Sequence, residues 1–301
     1  MRIAAVLAFV VFGLAGCMGG SDEISGSRAP RFEASAPGTA PPRLALVLGS
    51  GGARGFAHIG VLKVLDENRI RPDLIVGASV GAVVGALYAG GMSAAQIEKL
   101  AYSLSVLDLI DFNMVLKEPS SGRQTQELVN EHVGGRSIEQ LPIAFAVTAT
   151  RERDASLVIF NRGDTGAAVR ASGASPGQFL PVRISGESYV DGDAASPVPI
   201  RAARRLGARV VIAVDVSAYA QDTPAGARAA WVEKDARRAK QVAAEAPEAD
   251  VLIHPNIGYY AGHSEEYRRR VIAAAEKAAR QQLPAVLAAV ARARLSDQKP
   301  Q

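Results

Sequence analysis

The chain has 301 residues, of which 48% are hydrophobic and 21% are charged, and this balance suits one globular domain with a substantial core. Aromatic residues make up only 5%, so Ala, Val, Leu and Ile must fill most of the core, which favours an α/β fold over an aromatic-rich all-β sandwich. The net charge of +4 is modest and basic residues are interspersed with acidic ones. Together with the export signal described next, this pattern argues against a nucleic-acid partner.

Residues 1–16 are predicted to be a secretory signal peptide, because Arg2 precedes an apolar stretch that is too short to span a membrane and small residues follow it. The stretch ends in LAGC at Cys17, which resembles the lipobox of bacterial lipoproteins, where cleavage precedes an acylated cysteine. Cys17 is the only cysteine, and lipidation gives a lone exported cysteine a role. A signal peptide that merely ends near a cysteine is the alternative. An Asp directly after the acylated cysteine would retain a lipoprotein at the inner membrane. This chain has Met18 at that position, which favours a location at the outer membrane, facing the periplasm.

Residues 17–42 are rich in Gly, Ser and Pro and contain few large apolar groups, so the sequence predicts a lipidated cysteine followed by a flexible tether. The folded domain is expected over residues 43–295, followed by a polar tail at 296–301. Acylation of Cys17 with two or three chains would hold this domain stably at a membrane.

Short apolar runs bounded by Gly, Pro or polar residues predict buried strands, and several are continuous rather than alternating. They lie at residues 43–49, 73–78, 142–150, 156–161, 209–216 and 250–255. Helical periods lie at residues 55–68, 79–90, 123–133, 226–245 and 264–293. Strands and helices alternate, so we expect an α/β three-layer sandwich with a mainly parallel central sheet and helices on both faces. Residues 104–122 fit no clean period and form either a surface connection or a mobile flap near the site.

Ser79 is the predicted nucleophile, because it lies in GASVG, between a predicted strand and a predicted helix. Strand, GxSxG and helix are the context that a nucleophile elbow requires. Gly77 and Gly81 allow the chain to turn sharply and to expose the serine hydroxyl at the carboxyl end of the strand. The alternative is a glycine-rich turn with an incidental serine.

A serine nucleophile also needs donors that stabilise an oxyanion, and the GSGGARG segment before the first helix is the best candidate. The N–H groups of Gly51, Gly52, Ala53 and Arg54 would point outward at the start of that helix. A phosphate-binding loop is the rival interpretation. Both possible GxGxxG registers fail and no GK[ST] sequence is present, so nucleotide binding is not expected.

Two residues could serve as the base that activates Ser79. His254 ends a late strand and could complete a triad in the order Ser, Asp, His. Asp191, in the sequence YVDGDA, follows a short apolar stretch, and burial could raise the pKa of its carboxyl enough for it to act directly. His58 lies within the first predicted helix and is expected to be a packing residue.

GGARG, GASVG and DG occur in an order and spacing that resemble the patatin-like phospholipase family. Further segments, including GFAHIGVLKVLDE, LPIAFAVTAT and LGARVVIAVDV, extend this resemblance over roughly residues 44–293. The late DVLIHPNIGYY and the long final helix are similar to the bacterial branch related to neuropathy target esterase.

The resemblance implies a dyad without histidine, in which Ser79 is the nucleophile and Asp191 is the base. It also implies an oxyanion hole formed by the backbone of residues 51–54, an acyl-enzyme, and ester-linked acyl lipids such as phospholipids as substrates. No metal or organic cofactor is implied. Asp193 departs from the family, which usually has Gly or Ala there. Its carboxylate could raise the pKa of Asp191 by repulsion or face solvent, and Arg54 could assist an anionic head group or form a structural ion pair.

The sequence therefore predicts a lipid-anchored serine esterase that uses Ser79 and Asp191. Two other functions stay open. One is an α/β-hydrolase with a triad of Ser79, Asp191 and His254, and the other is an inactive lipoprotein that keeps the fold as a membrane binding module.

Overall fold

The computed structural model describes residues 22–34, 40–104 and 118–295. The predicted signal peptide, Cys17, the polar tail and most of segment 104–122 lie outside the described residues.

Nine strands of the described residues form one sheet, in the order β1-β6-β7-β4-β3-β2-β8-β9, with β5 also paired to β4. The strands are β1 (Glu23–Ile24), β2 (Leu44–Leu48), β3 (Leu74–Ala78), β4 (Ala144–Arg151), β5 (Leu157–Phe160), β6 (Val182–Ile184), β7 (Glu187–Val190), β8 (Val210–Val214) and β9 (Val251–Ile253). The central pairs β4-β3-β2-β8-β9 are parallel, whereas β5 and β7 run antiparallel to β4. The predicted mainly parallel sheet is confirmed.

Helices cover both faces of this sheet. They are α1 (Phe56–Glu67), α2 (Val80–Ala89), α3 (Ala94–Ser103), α4 (Arg123–His132), α5 (Thr165–Ser172), α6 (Ile200–Arg205), α7 (Ala229–Glu245) and α8 (Glu265–Leu295). Alternate residues of β2 enter two different cores: Leu46 and Leu48 join one with residues of α1, α2 and α8, and Val47 joins the other with residues of α6 and α7. Two cores on opposite faces make the three layers that were expected. No helix of the described ranges has the length and apolar composition to cross a bilayer.

Residues 22–34, which were expected to be part of a flexible tether, lie against the domain. Glu23 and Ile24 pair in parallel with β6, and Arg31 forms an antiparallel bridge with Arg162. The Asp22 carboxylate accepts a hydrogen bond from Arg123 (2.6 Å) and forms an ion pair with the buried Arg170. Backbone pairing needs no large apolar side chains, so the composition of this segment did not reveal it.

The edge of β4 brings two chain segments together head to head. At Thr148, β5 occupies one edge of β4 and Ala78 of β3 occupies the other. At Thr150, β5 still pairs with the first edge of β4. Val190 of β7, which also pairs with Thr150, must therefore lie on the second edge, the one that β3 occupies at Thr148. The strands β3 and β7 run in opposite directions and end on either side of Ala149. The residues that follow them, the predicted nucleophile and base, are therefore brought face to face.

Candidate active site

Ser79 occupies the sharp turn between β3 and α2. Its backbone, with φ 53° and ψ −124°, lies in a region that residues other than glycine rarely adopt. A Cβ added to Gly77 would lie 2.5 Å from Cα of Ala82, and one added to Gly81 would lie 2.1 Å from the carbonyl oxygen of Leu48. Both positions therefore require glycine, and the turn has the strand, elbow and helix that the sequence predicted.

The structure brings Ser79 and Asp191 into direct contact. The Ser79 hydroxyl donates a hydrogen bond to Oδ2 of Asp191 over 2.9 Å, and Oδ1 accepts one from the N–H of Asp193, also over 2.9 Å. The two residues are only 9% and 6% exposed. Burial, followed by repulsion from the Asp193 carboxylate, raises the pKa of Asp191 to about 6. A carboxylate with this pKa is a better proton acceptor near neutral pH than an ordinary aspartate.

Two residues that the sequence analysis did not identify support this pair. The Ser172 hydroxyl, at the end of α5, accepts a hydrogen bond from the N–H of Ser79 (2.7 Å) and donates one to the carbonyl of Thr148 (2.6 Å). The Thr150 hydroxyl donates to the carbonyl of Asp191 (2.8 Å). Each is a buried hydroxyl that holds the backbone of the predicted nucleophile or base. A single serine or threonine carries no sequence pattern that would indicate such a contact.

The glycine-rich segment turns beside Ser79 as a short 3-10 helix over Gly52–Gly55. A Cβ at Gly55 would lie 2.3 Å from the side chain of Val80, so the turn packs directly against the residue after Ser79. The N–H of Arg54 donates to the carbonyl of Gly51 within the turn (3.2 Å). The first N–H groups of a helix have no acceptor within it. Of the four predicted donors, Gly51, Gly52 and Ala53 are thus the ones whose N–H groups precede the internal bond.

His58 fixes the start of this loop. Its ring is fully buried, and Nε2 donates to the carbonyl of Gly49 over 2.8 Å, because a carbonyl can only accept. Burial lowers the pKa of His58 to about 4, so the ring is neutral near pH 7. His58 is therefore a packing residue, as expected, that also holds the loop.

Among the residues that the structure describes, no carboxylate forms an ion pair with the Arg54 side chain, which was one of its two expected roles. Its guanidinium donates to the carbonyl of Tyr259 over 2.5 Å. This contact ties the loop to the segment between β9 and α8. A head-group contact by Arg54 is not tested by this geometry and stays a prediction.

His254 is not brought to Ser79. Its Nε2 lies 3.0 Å from the carbonyl oxygen of Ser217, and its ring stacks on Tyr219 with a centroid distance of 4.0 Å. Its Nδ1 lies 3.8 Å from Oδ2 of Asp215. Because the Ser79 hydroxyl already donates directly to the Asp191 carboxylate, no histidine stands between these two residues.

Asp193 does not face solvent, which was one of its two expected environments. Its carboxylate, with the side chain 16% exposed, forms an ion pair with Arg238 of α7 and accepts a hydrogen bond from the Ser50 hydroxyl. It also raises the pKa of Asp191, after the larger effect of burial. Arg238 was missed because its helix, with many charged residues, resembles a solvated surface helix.

The arrangement can perform nucleophilic chemistry with protein groups. A buried serine donates to a carboxylate, and backbone N–H groups lie on a tight turn packed against the serine's neighbour. In the part of the chain that the structure describes, no cluster of three or more His, Cys, Asp or Glu side chains is arranged to hold a metal ion.

A serine on a sharp strand-to-helix turn, bonded to a buried carboxylate on a three-layer α/β fold, is an arrangement typical of hydrolases with a serine nucleophile. The model of the patatin-like phospholipase family matches residues 46–204, which is more than half of the chain. The chain belongs to this family.

Similar proteins come from bacteria and eukaryotes. An uncharacterized NTE family protein of Mycobacterium bovis is 35% identical over 206 residues, which cover 66% of this chain and 57% of that protein. Lysophospholipase NTE1 of Coccidioides immitis is 34% identical over 187 residues, which cover 60% of this chain and 12% of that protein. Human patatin-like phospholipase domain-containing protein 6 is 33% identical over 181 residues, covering 58% and 13%. The chain thus spans less than two thirds of the length of each of these relatives.

The fold also occurs among solved structures. VipD from Legionella pneumophila superposes with a TM-score of 0.52 at 15% sequence identity, covering 80% of this chain and 66% of VipD. This likeness supports the fold alone.

Proposed function

We propose that this protein is a serine lipid acyl hydrolase of the phospholipase A or lysophospholipase type, in which Ser79 is the nucleophile and Asp191 is the base. The observation that carries the proposal is the 2.9 Å hydrogen bond from the Ser79 hydroxyl to a buried carboxylate whose pKa is raised to about 6. Family membership and relatives that include a lysophospholipase support an acyl ester of a lipid as the substrate class.

In the acylation step, Oγ of Ser79 attacks the carbonyl carbon of the ester while its proton passes to Oδ2 of Asp191. The tetrahedral intermediate carries a negative charge on the former carbonyl oxygen. The N–H groups of Gly51, Gly52 and Ala53 stabilise this charge. The C–O bond to the lipid alcohol then breaks, and the leaving alcohol takes the proton from Asp191.

In the deacylation step, a water molecule gives a proton to Asp191 and attacks the acyl-enzyme carbonyl. The oxyanion forms again beside the same loop. Ser79 leaves with the proton that Asp191 held, which frees the fatty acid and restores the enzyme. Each step uses only protein groups and water, and neither requires a metal or an organic cofactor.

The dyad is tested with Ser79→Ala and Asp191→Asn in the purified protein, assayed with a soluble acyl ester and with phospholipid. We expect each substitution to lower kcat by at least about a thousandfold, because nucleophile and base act as one unit. The wild-type rate should rise with pH through an apparent pKa of about 6, since the base must be ionised. Unchanged rates in either correctly folded variant would contradict the dyad.

Two controls separate the dyad from its alternatives. His254→Ala should leave kcat within about twofold, whereas a triad predicts a loss of several orders of magnitude. A fluorophosphonate probe should label the wild-type protein at Ser79. A native protein that the probe does not label, and that releases no fatty acid from any lipid tested, would instead be an inactive binding module.

We further propose that the protein is a bacterial lipoprotein. Acylated Cys17 anchors it in the outer membrane, where it faces the periplasm. The support is the lipobox-like LAGC sequence and Met18 beside it. Because Asp22 already contacts the domain, only residues 18–21 separate the anchor from it. Five peptide steps reach at most about 18 Å, so the anchor would hold the Asp22 edge close to the bilayer.

A further inference from the structure

We propose that Arg238 is a positioning residue that joins the oxyanion loop to the loop that carries the base. Arg238 lies on α7, buried, with its side chain only 8% exposed. The inference rests on the proposed function, because it assigns Arg238 a role in the same reaction. It concerns a contact that the sequence did not reveal.

On the side of the oxyanion loop, Arg238 holds Ser50, the residue before Gly51. Nη1 donates to the Ser50 hydroxyl over 2.7 Å, and Nη2 donates to the Ser50 carbonyl over 2.6 Å. Two bonds from one planar guanidinium fix both the position and the orientation of the residue. Gly51 and the turn that follows are therefore attached to α7 at their first peptide.

On the side of the base, Arg238 holds Asp193. Nη1 forms an ion pair with its carboxylate, and the Ser50 hydroxyl donates to the same carboxylate oxygen. The N–H of Asp193 donates to Asp191 over 2.9 Å, and Asp191 accepts from Ser79. A continuous chain of contacts thus runs from the oxyanion loop through Arg238 and Asp193 to the base and the nucleophile.

The helix that carries Arg238 supplies further contacts to the base loop along the same face. Gln241 donates to the carbonyl of Ala194 (2.9 Å), and Glu245 accepts from the Ser196 hydroxyl (2.7 Å). Residues 238, 241 and 245 are spaced so that they lie on one face of a helix. The polar stripe that looks solvated in the sequence therefore faces the 193–196 loop.

This connection matters for catalysis because it holds the oxyanion loop in place relative to the base. Oxyanion donors act only when they lie at hydrogen-bond distance from the developing charge, and a misplacement of about 1 Å costs about a hundredfold in rate. The ion pair with Arg238 requires a carboxylate at position 193. A glycine or an alanine there would remove this ion pair and leave the Asp215 carboxylate, with Oδ1 3.8 Å from Nη2, as the remaining acidic neighbour of the guanidinium.

The test compares Arg238→Met and Arg238→Lys with Arg237→Met, a matched control at the exposed neighbouring position of α7. Rates are measured with a soluble ester and normalised to the folded fraction from circular dichroism. We expect Arg238→Met to lower kcat by about tenfold to a hundredfold while KM changes less than about threefold. Arg238→Lys should recover only part of the loss, since an ammonium cannot form the same planar fork.

A second pair of variants keeps the test independent of folding. Asp193→Ala removes the carboxylate that pairs with Arg238, and Asp193→Ala with Arg238→Met removes both members of this ion pair. Rates of both variants are again normalised to the folded fraction, because Arg238→Met also removes the cation 3.8 Å from the buried Asp215 carboxylate. At a pH well above 6, where Asp191 is ionised with or without the Asp193 carboxylate, we expect the double variant to lose about as much kcat as Arg238→Met alone, because both substitutions break one connection. Losses that multiply would contradict this.

The outcomes also separate this inference from the proposed function. An active wild-type protein, an inactive Ser79→Ala variant and a fully active, folded Arg238→Met variant would overturn the positioning role alone. A loss that disappears after normalisation to the folded fraction would make Arg238 merely structural. A wild-type protein without esterase activity would instead overturn the proposed function.

Discussion

At the scale of single residues, Asp191 shows how the site opposes the stability of the fold. A buried carboxylate bonded to only a hydroxyl and one N–H is held in the environment that raises its pKa. Ionisation in the folded state therefore costs more than ionisation in the unfolded chain. In the mechanism proposed above, the same environment would make Asp191 a useful base, so the raised pKa would favour activity while it lowers stability.

We predict that Asp191→Asn stabilises the fold at pH 8 but not at pH 4. The folded pKa of about 6 exceeds the ordinary aspartate pKa of 3.8, so the stability that Asp191 contributes at low pH is lost as the pH rises through about 6. Asparagine does not ionise and still accepts from the Asp193 N–H. The difference in free energy of unfolding between variant and wild type should grow by about 2 to 3 kcal/mol between pH 4 and pH 8. Urea unfolding at several pH values measures it.

The control for this prediction is an exposed carboxylate whose pKa is shifted in the opposite direction. The hydroxyl and N–H of Ser156 lower the pKa of Asp154. Asp154→Asn should therefore lose stability relative to wild type as the pH rises. A pH-independent effect of Asp191→Asn would show that its carboxyl ionises as readily in the folded protein as in the unfolded chain.

Single residues also mark the limit of what the sequence could predict. Ser79 and Asp191 were identifiable because glycines and apolar runs surround them in a recognisable order. Ser172 and Arg238 were not, since their partners lie far away along the chain and their own neighbours form no pattern. Asp193 gave a partial indication of Arg238, because a carboxylate so close to Asp191 calls for a cationic partner, but it did not show which residue that partner is.

At the scale of elements, α1 and α8 pack with their backbones in close contact. A Cβ added to Gly60 would lie 2.2 Å from the carbonyl oxygen of Ile272 and 2.8 Å from the N of Glu276. This approach positions α1, and α1 carries His58, which holds the loop beside the site. A glycine in the middle of a helix costs about 1 kcal/mol relative to alanine, and here close packing explains it.

We predict that Gly60→Ala destabilises the fold by about 1 to 3 kcal/mol, because one of the two helices must shift to accommodate the methyl group. The matched control is Gly173→Ala, where the nearest atom, the carbonyl oxygen of Val169, would lie 3.5 Å from the new Cβ. The control should change stability by less than about 1 kcal/mol. Equal urea midpoints for both variants would contradict the close packing of α1 against α8.

The elements were predicted unevenly, for physical reasons. All six strands of continuous apolar residues were found, since burial on both faces leaves a strong composition signal. The hairpin β6-β7 and the helices α3, α5 and α6 were missed. The strands β6 (VRI) and β7 (ESYV) contain charged or polar residues, so they lack the continuous apolar run that revealed β5 and β9, which are equally short. The helices α5 and α6, of eight and six residues, are too short to establish a clear period, whereas α3 is as long as the predicted α2 and α4 and its length does not explain the miss.

At the scale of the whole molecule, the N-terminal segment links the proposed anchor to the site. Asp22 pairs with Arg170 of α5, and two residues later in that helix Ser172 holds the N–H of Ser79. The point where the chain joins the domain thus lies on the helix that contacts Ser79. A lipidated Cys17 would keep Asp22 within about 18 Å of the bilayer, although Arg170 and Ser172, two residues apart on α5, point to different faces of that helix.

We predict that this short connection matters for activity on membrane lipids. Inserting 20 Gly and Ser residues between Gly20 and Ser21 lengthens the connection from Cys17 to Asp22 from five peptide steps to 25. The effective concentration of the site at the bilayer should then fall by about tenfold, because it decreases roughly as the −3/2 power of linker length. Hydrolysis of lipid in the vesicle that carries the acylated protein should fall accordingly, while turnover of a soluble ester stays unchanged.

The matched control inserts the same residues between Pro37 and Gly38, beyond the docked segment 22–34, so that the path from Cys17 to Asp22 keeps its length. This variant should hydrolyse vesicle lipid at the wild-type rate. Cys17→Ser should abolish vesicle binding and leave soluble-ester turnover intact. Equal lipid hydrolysis by the two insertion variants would contradict this prediction. It would show that the length of the connection from Cys17 to Asp22 does not affect how the site reaches the bilayer.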